Sequence, residues 1–419
     1  MGVFLVISLF SCTFAKFFYM EQTKGKGQGV RRAVDTTRHH RENGWDYRGR
    51  AVYHFTFPVE GRFPLFGTLE GENAERAFIR LNPFGYRVYQ ILCGLPQFYA
   101  AKGFALKVLA QKVMPDHIHL VIQVLEPLPQ SIGAVVRGFK SACTMVYKQE
   151  FLSCGENAAE VHSIANRQGN AAEVHSIANR QGNAAALMHF ARIFANRNSI
   201  WQQDAAYYHE RILHAPGQLN RMINYVKDNP RRLWLKKNNP DLFRLHRHTE
   251  MCGLSFTSLG NHFLLDWHDN QTVEMPRNAT VEQVQKRLQL AMAAAQNGAV
   301  TYTAAISKGE QLIARTLRKQ GYPLVVLLSD GFPKDGSPHE RFYKPGGIYF
   351  EACSKGQLLL LEPTEQTFLN ADIQSAVEET LRRKAAERHY GYKQIPLKSQ
   401  RYRFVALNEI AKRLARIER

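Results

Sequence analysis

Two histidines and a distant tyrosine are the residues of this chain best suited to chemistry. Residues 114–124 read Met-Pro-Asp-His-Ile-His-Leu-Val-Ile-Gln-Val. A Pro-Asp turn leads into an apolar, β-branched segment, which predicts a strand beginning at about Asp116. Side chains alternate along a strand, so His117 and His119 leave one face while Ile118 packs under the other. Two imidazoles on a rigid element can hold a divalent metal and leave its other positions to substrate and water. His-x-His also occurs on strands that bind nothing, so a third ligand and a nucleophile must come from elsewhere.

Residues 221–230, Arg-Met-Ile-Asn-Tyr-Val-Lys-Asp-Asn-Pro, offer both. Tyr225 and Asn229 are four apart and share one helix face. Docked beside the histidine strand, that face would present a phenolic hydroxyl and an amide oxygen together. A metal there would polarise a phosphodiester oxygen and favour the phenolate, which is scarce at neutral pH for an ordinary tyrosine. Oxygen contacts from Asn229, water and phosphate suit Mg²⁺ or Mn²⁺ better than structural zinc. Spacing does not single Tyr225 out among the 17 tyrosines. A core tyrosine with its hydroxyl at the edge has the same pattern.

The elements that must position these groups are legible as alternating patterns. Residues 52–59 alternate as a strand, 83–101 carry helical spacing, and 104–113 form a strand that pairs with the histidine strand as a hairpin. Residues 129–151 read as an amphipathic helix with Val135, Val136, Phe139, Cys143 and Val146 on its apolar face. Residues 199–213 are extended, and 218–234 form a helix interrupted by Pro230. The order strand, helix, strand, strand, helix, strand, helix predicts an α+β fold with a ferredoxin-like antiparallel sheet. After about residue 250 the texture changes. Short apolar runs at 299–306, 323–329 and 357–362 alternate with helical patterns such as 311–319, which predicts a separate α/β domain with a parallel sheet.

At 419 residues the chain has room for two or three domains, and 45% hydrophobic residues support sizeable cores. Lys and Arg number 55 against 36 Asp and Glu, a net charge of +19. That excess points to a polyanionic partner, most simply nucleic acid, with ribosomal or membrane-surface binding as the bland alternatives. The basic residues gather at 24–50 and again at 231–237, where Arg231 and Arg232 are followed by Leu-Trp-Leu-Lys-Lys. Interleaved basic and aromatic residues suit a phosphate backbone with exposed bases, and a solvated basic face has the same composition. The six cysteines show neither metal-knuckle nor disulfide spacing, which fits a reducing, cytoplasmic setting. The first residues pull the other way: an apolar run at 3–10 before Cys12 resembles an export or lipoprotein signal, and mass spectrometry of the native N-terminus would test that reading. No basic residue precedes that run and it is too short to span a bilayer, so residues 1–19 are read as an untranslated extension before Met20, with no membrane partner.

Residues 158–170 are repeated without change at 171–183. Perfect identity over so short a unit marks recent slippage rather than a solenoid, and 158–183 reads as a tolerated surface insertion.

Taken jointly, the His-Ile-His strand and Tyr225-Val226-Lys227-Asp228-Asn229-Pro230 resemble the HUH-type single-tyrosine transposases, in their REP-associated branch. Trp201-Gln202-Gln203-Asp204, the run 208–213 and the run 47–56 also resemble that family, so the likeness spans about residues 45–245. The resemblance implies a metal-dependent endonuclease and strand transferase acting on single-stranded or hairpin DNA. Tyr225 would form a covalent 5′-phosphotyrosine link, with His117, His119 and Asn229 as ligands of Mg²⁺ or Mn²⁺. Lys140, in Arg137-Gly138-Phe139-Lys140, matches a basic position of the family and is expected, with Arg137, Arg231 and Arg232, to contact DNA. The resemblance leaves monomer and homodimer both open. The duplicated insertion departs from the family pattern.

The C-terminal part more loosely resembles the Rossmann-like domain of DNA-processing protein A. The matching runs are Ala305-Ile306-Ser307-Lys308-Gly309-Glu310, then residues 323–328, 342–347 and 356–361. A Ser-x-Gly-Glu turn between strand and helix is expected to offer backbone N–H groups to phosphate. The division expected is a 1–44 extension and arm, a 45–248 HUH domain with the 158–183 insertion, and a 249–419 Rossmann-like accessory domain with no cofactor of its own. The alternative to catalysis is a domesticated or decaying transposase that binds DNA hairpins without cutting them.

Overall fold

The computed structural model describes residues 42, 44–149, 199–202, 209–329, 332, 347–387, 389, 391–392 and 394–416. The duplicated insertion at 158–183, the first 41 residues and the 342–346 part of the C-terminal resemblance lie outside them.

The first sheet is built from β1 (Ala51–Pro58), β4 (Leu106–Val113), β5 (His117–Val124) and β6 (His209–Ile212). Its order is β4-β5-β1-β6, antiparallel throughout. A two-stranded hairpin, β2 (Gly67–Glu70) with β3 (Phe78–Leu81), stands apart from it. Helix α1 (Pro83–Ala100) and helix α2 (Gly133–Tyr147) follow the expected spacing. Asn82 starts α1 by accepting from Gly85 N at 2.7 Å, with Pro83 in the first turn, where its missing N–H costs nothing. Gly138 lets the helices approach, because a Cβ there would sit 2.0 Å from Tyr99 Oη.

Alternation sorts the sheet faces. Phe55, Phe57, Ile118, Leu120 and Ile122 join Val88, Leu92, Val136 and Phe139 in one core. Phe57 is fully buried, its ring tilted against Phe139 at 5.2 Å and edge-on to Trp201 at 6.0 Å between centroids. Truncating it leaves a cavity among side chains that cannot collapse, so Phe57→Ala is expected to cost about 3–5 kcal/mol. A urea midpoint unchanged from wild type would contradict that packing.

The opposite face carries His117, His119 and Val121. Helix α3 (Gln218–Asn238) covers it, packing Val226, with Leu219, Met222 and Tyr225 at the margin, on Val121. The expected interruption at Pro230 does not occur: α3 runs 21 residues with Pro230 buried inside it. Proline removes one backbone hydrogen bond, and packing on both sides of the helix outweighs that loss.

The second sheet comprises β7 (His246–Met251), β8 (Leu254–Gly260), β9 (Asn270–Thr272), β10 (Val300–Thr303), β11 (Leu324–Leu327) and β12 (Leu358–Pro363). Its order is β7-β8-β12-β11-β10-β9. Strands β9 to β12 are parallel as expected, but β8 joins β12 antiparallel and makes the sheet mixed. Helices α4 (Val281–Gln296), α5 (Lys308–Lys319) and α6 (Gly347–Ser354) connect the parallel strands, and α7 (Ala371–Glu387) and α8 (Gln400–Ala415) pack into the core beneath Tyr302, Val325 and Leu359. The parallel strands advance in one direction only. The order reversal that opens a ligand crevice in a doubly wound sheet has no counterpart among the described strands.

Both sheets belong to one unit, His39–Arg419. The chain as described is an α+β protein. No helix of the described residues is long and apolar enough to cross a membrane.

Candidate active site

Strand β5 presents the two imidazoles side by side. His117 Nε2 lies 3.1 Å from His119 Nε2, with the rings edge to face and their centroids 4.7 Å apart. The far nitrogens are engaged. His117 Nδ1 meets Asp116 Oδ1 at 2.5 Å, its Nδ1–H donating to the carboxylate, while Nε2 faces the neighbouring imidazole. His119 Nδ1 lies 3.0 Å from Thr56 Oγ1 and 3.1 Å from His54 Nε2. At the 3.1 Å between the Nε2 atoms, one Nε2–H can donate to the other ring or, with both ring protons on Nδ1, the two Nε2 atoms can share a cation. An octahedral ion with ligands at about 2.1 Å sets adjacent donors about 3.0 Å apart, so the pair fits two neighbouring positions of one ion.

Tyr225 closes the group. Its ring is edge-on to His119 at 5.4 Å between centroids and to His54 at 6.4 Å. Helix α3 delivers it because Val226, next in sequence, anchors on Val121 of the histidine strand. Asn229, 7% exposed, follows one turn on, and its Nδ2 donates to the Tyr225 carbonyl at 2.8 Å. That bond ties the amide to the backbone of the tyrosine turn. The structure thus brings His117, His119 and Tyr225 together, with Asn229 adjacent to Tyr225 on the same helix.

The expected DNA contacts are placed differently. Arg137 is exposed on α2. Lys140 is only 6% exposed and lies on the other side of the sheet from the histidines, its ammonium 6.0 Å from the Trp201 ring centroid. Burial pulls its pKa down to about 7. An exposed helix position would have been needed for the phosphate contact expected of it. Arg231 binds Asp228 at 2.6 and 3.2 Å and also pairs with Glu351 of α6, which holds its guanidinium firmly charged. Arg232 stacks over Phe350 at 3.6 Å and lies 5.3 Å from the Tyr225 ring. The basic cluster at 231–237 is therefore bound in part to the second sheet rather than being a solvated DNA face.

The expected phosphate loop is also occupied. Ser307 caps α5 by accepting from Glu310 N at 3.1 Å. The Glu310 carboxylate accepts from Ile306 N, Ser307 N and Met275 N at 2.6–3.0 Å. The chain fills with its own anion the backbone donors that phosphate would use.

Sequence reading passed over His54, Thr56 and Asp116 as site residues. The signal was present: His54 and Thr56 are two apart on β1 and so share a face, and Asp116 directly precedes the first histidine. Lys112, paired with His119 across β4 and β5, joins the same face, and burial lowers its pKa.

No protein-family model matches the chain, and no curated protein does. Among solved structures it is similar to the 1.90 Å crystal structure of a "putative transposase" from Deinococcus radiodurans R1, at 13% identity over 45% of this chain and 95% of that one, with a TM-score of 0.23.

Proposed function

We propose that the chain is a metal-dependent endonuclease and strand transferase for single-stranded or hairpin DNA, of HUH single-tyrosine type, with Tyr225 as nucleophile. The observation that carries this reading is the Tyr225 ring edge-on to His119 at 5.4 Å, beside a histidine pair whose Nε2 atoms lie 3.1 Å apart. The order β4-β5-β1-β6 supports it too, since a ferredoxin-like sheet requires that order. His117, His119 and Asn229 would hold Mg²⁺ or Mn²⁺, which when bound draws electron density from a phosphodiester oxygen.

Tyr225 Oη attacks phosphorus, forming the phosphotyrosine P–O bond as the P–O3′ bond breaks. The phenol proton leaves to solvent and the departing O3′ takes one up. One phosphoester replaces another, so the step reverses without an energy source, as rejoining requires. The 249–419 part serves as an accessory module to this site.

A labelled hairpin oligonucleotide incubated with the protein and Mn²⁺ should give a covalent band on a denaturing gel, and Tyr225→Phe should lose it. A band that persists in Tyr225→Phe removes the nucleophile. Salt-sensitive hairpin binding that survives His117→Ala and chelation, with no cleavage under any metal, establishes the non-catalytic alternative. Asp116→Asn, which weakens the grip on His117 without touching the metal positions, should lower Mn²⁺ affinity about 10- to 100-fold by calorimetric titration.

A further inference from the structure

Arg232 stands between two aromatic rings from different parts of the chain. Its guanidinium carbon is 3.6 Å from the centroid of Phe350 on α6 and 5.3 Å from that of Tyr225 on its own helix. Phe350 is fully buried and stacks on Phe243 at 5.0 Å with 24° between the planes, so it is a fixed wall. Beside it, Glu351 pairs with Arg231, and Lys236 Nζ lies 5.7 Å from the Phe350 ring. Burial of Arg232 pulls its pKa down, against the opposing pull of the nearby Asp228 and Glu351 carboxylates. A guanidinium packed this way has one face committed to Phe350 and a field directed at the phenol. It packs against the tyrosine ring and holds it against rotation.

We infer that Arg232 is a positioning residue for Tyr225 and that Phe350 and Glu351, from helix α6 beside the second sheet, set its place. The tyrosine seat is then built from both sheets, and the first sheet alone lacks part of it. The inference rests on the strand-transfer reading for its kinetic consequence, while its geometric content stands on the Arg232 stack.

The test measures single-turnover adduct formation at saturating hairpin with Mn²⁺, alongside hairpin affinity, in the full chain. Arg232→Gln should slow the step at least tenfold and weaken binding less than threefold. Phe350→Leu leaves every reacting group in place and should slow the same step at least threefold. The double variant should be no slower than Arg232→Gln alone, because both changes remove one interaction. Glu351→Gln replaces Phe350→Leu should the latter fail to fold.

Multiplicative effects in the double variant would overturn the inference. So would an Arg232→Gln that weakens binding as much as it slows the step and lowers the salt dependence by one ion, the signature of a plain phosphate contact. 3-Fluorotyrosine placed at 225 gives a readout without DNA: Arg232→Gln and Phe350→Leu should each shift its ¹⁹F resonance. An unmoved resonance in both overturns the seat. A wild type that forms no adduct on any hairpin sinks the strand-transfer reading while the ¹⁹F result still decides the seat.

Discussion

His119→Ala is expected to reduce hairpin cleavage by about 10³-fold or more, with hairpin affinity in the absence of metal nearly unchanged. The reason lies in how many interactions converge on that one ring. Its Nε2 faces His117 Nε2 at 3.1 Å, its Nδ1 is met by Thr56 and His54, and its edge meets Tyr225. Removing it halves the nitrogen platform and empties the space against which the tyrosine packs. A Lewis acid at a phosphoryl oxygen contributes several kcal/mol, and each 1.36 kcal/mol is about tenfold in rate. His119→Gln keeps most of the volume without the imidazole and should be nearly as slow, which separates lost ligation from lost packing. Cleavage within tenfold of wild type in both variants would place the metal, and the chemistry, elsewhere.

Lys140→Met is expected to stabilise the protein at pH 7 by an amount on the order of a few kcal/mol. The ammonium is buried beside Trp201, and its pKa falls from the usual lysine value of 10.5 to about 7. The sign follows from which state holds the proton. Below about pH 7 both folded and unfolded chains carry it, and the folded chain bears the full desolvation cost. As pH rises above 7 the folded chain releases it first, the unfolded chain binds more protons, and stability climbs. Methionine fills similar volume without the charge, so the variant should lack that climb. Urea unfolding of both proteins at pH 6, 7.5 and 9 (about one pH unit or more apart) measures the difference directly. Equal slopes, or a variant less stable at pH 7, would show that Lys140 is worth more charged than desolvation costs.

Lys140 also shows where sequence reading stopped. The apolar positions Val136, Phe139 and Cys143 already place residue 140 on the buried face of α2, four after one and three before another. The helix was legible, and its lysine was read from its type instead of its phase. Strands β1, β4 and β5 were legible because alternation and the Pro-Asp turn are local signals, and they carried the histidine face with them. Arg231 and Arg232 were not, because their partners Glu351 and Phe350 lie about a hundred and twenty residues away and nothing local marks them. The β2–β3 hairpin is short and half-exposed, too polar to stand out by pattern. At Ser307 two readings competed, and the Ser-x-x-Glu spacing of a capping box was the better guide than the glycine between. Pro230 was read as a break on propensity alone, and burial of the residue overrode it.

That unbroken helix has a mechanical consequence. Its 21 residues rise about 31 Å, with the phenol in the third turn and the Arg231 ion pair beyond it. A rod so stiff passes displacement along instead of absorbing it. If the tyrosine hands a strand to a second duplex as proposed, swinging the helix would drag α6 along or break the Arg231–Glu351 pair. Under that proposal strand exchange would work as a lever, with α6 and the second sheet as the weight on its far arm.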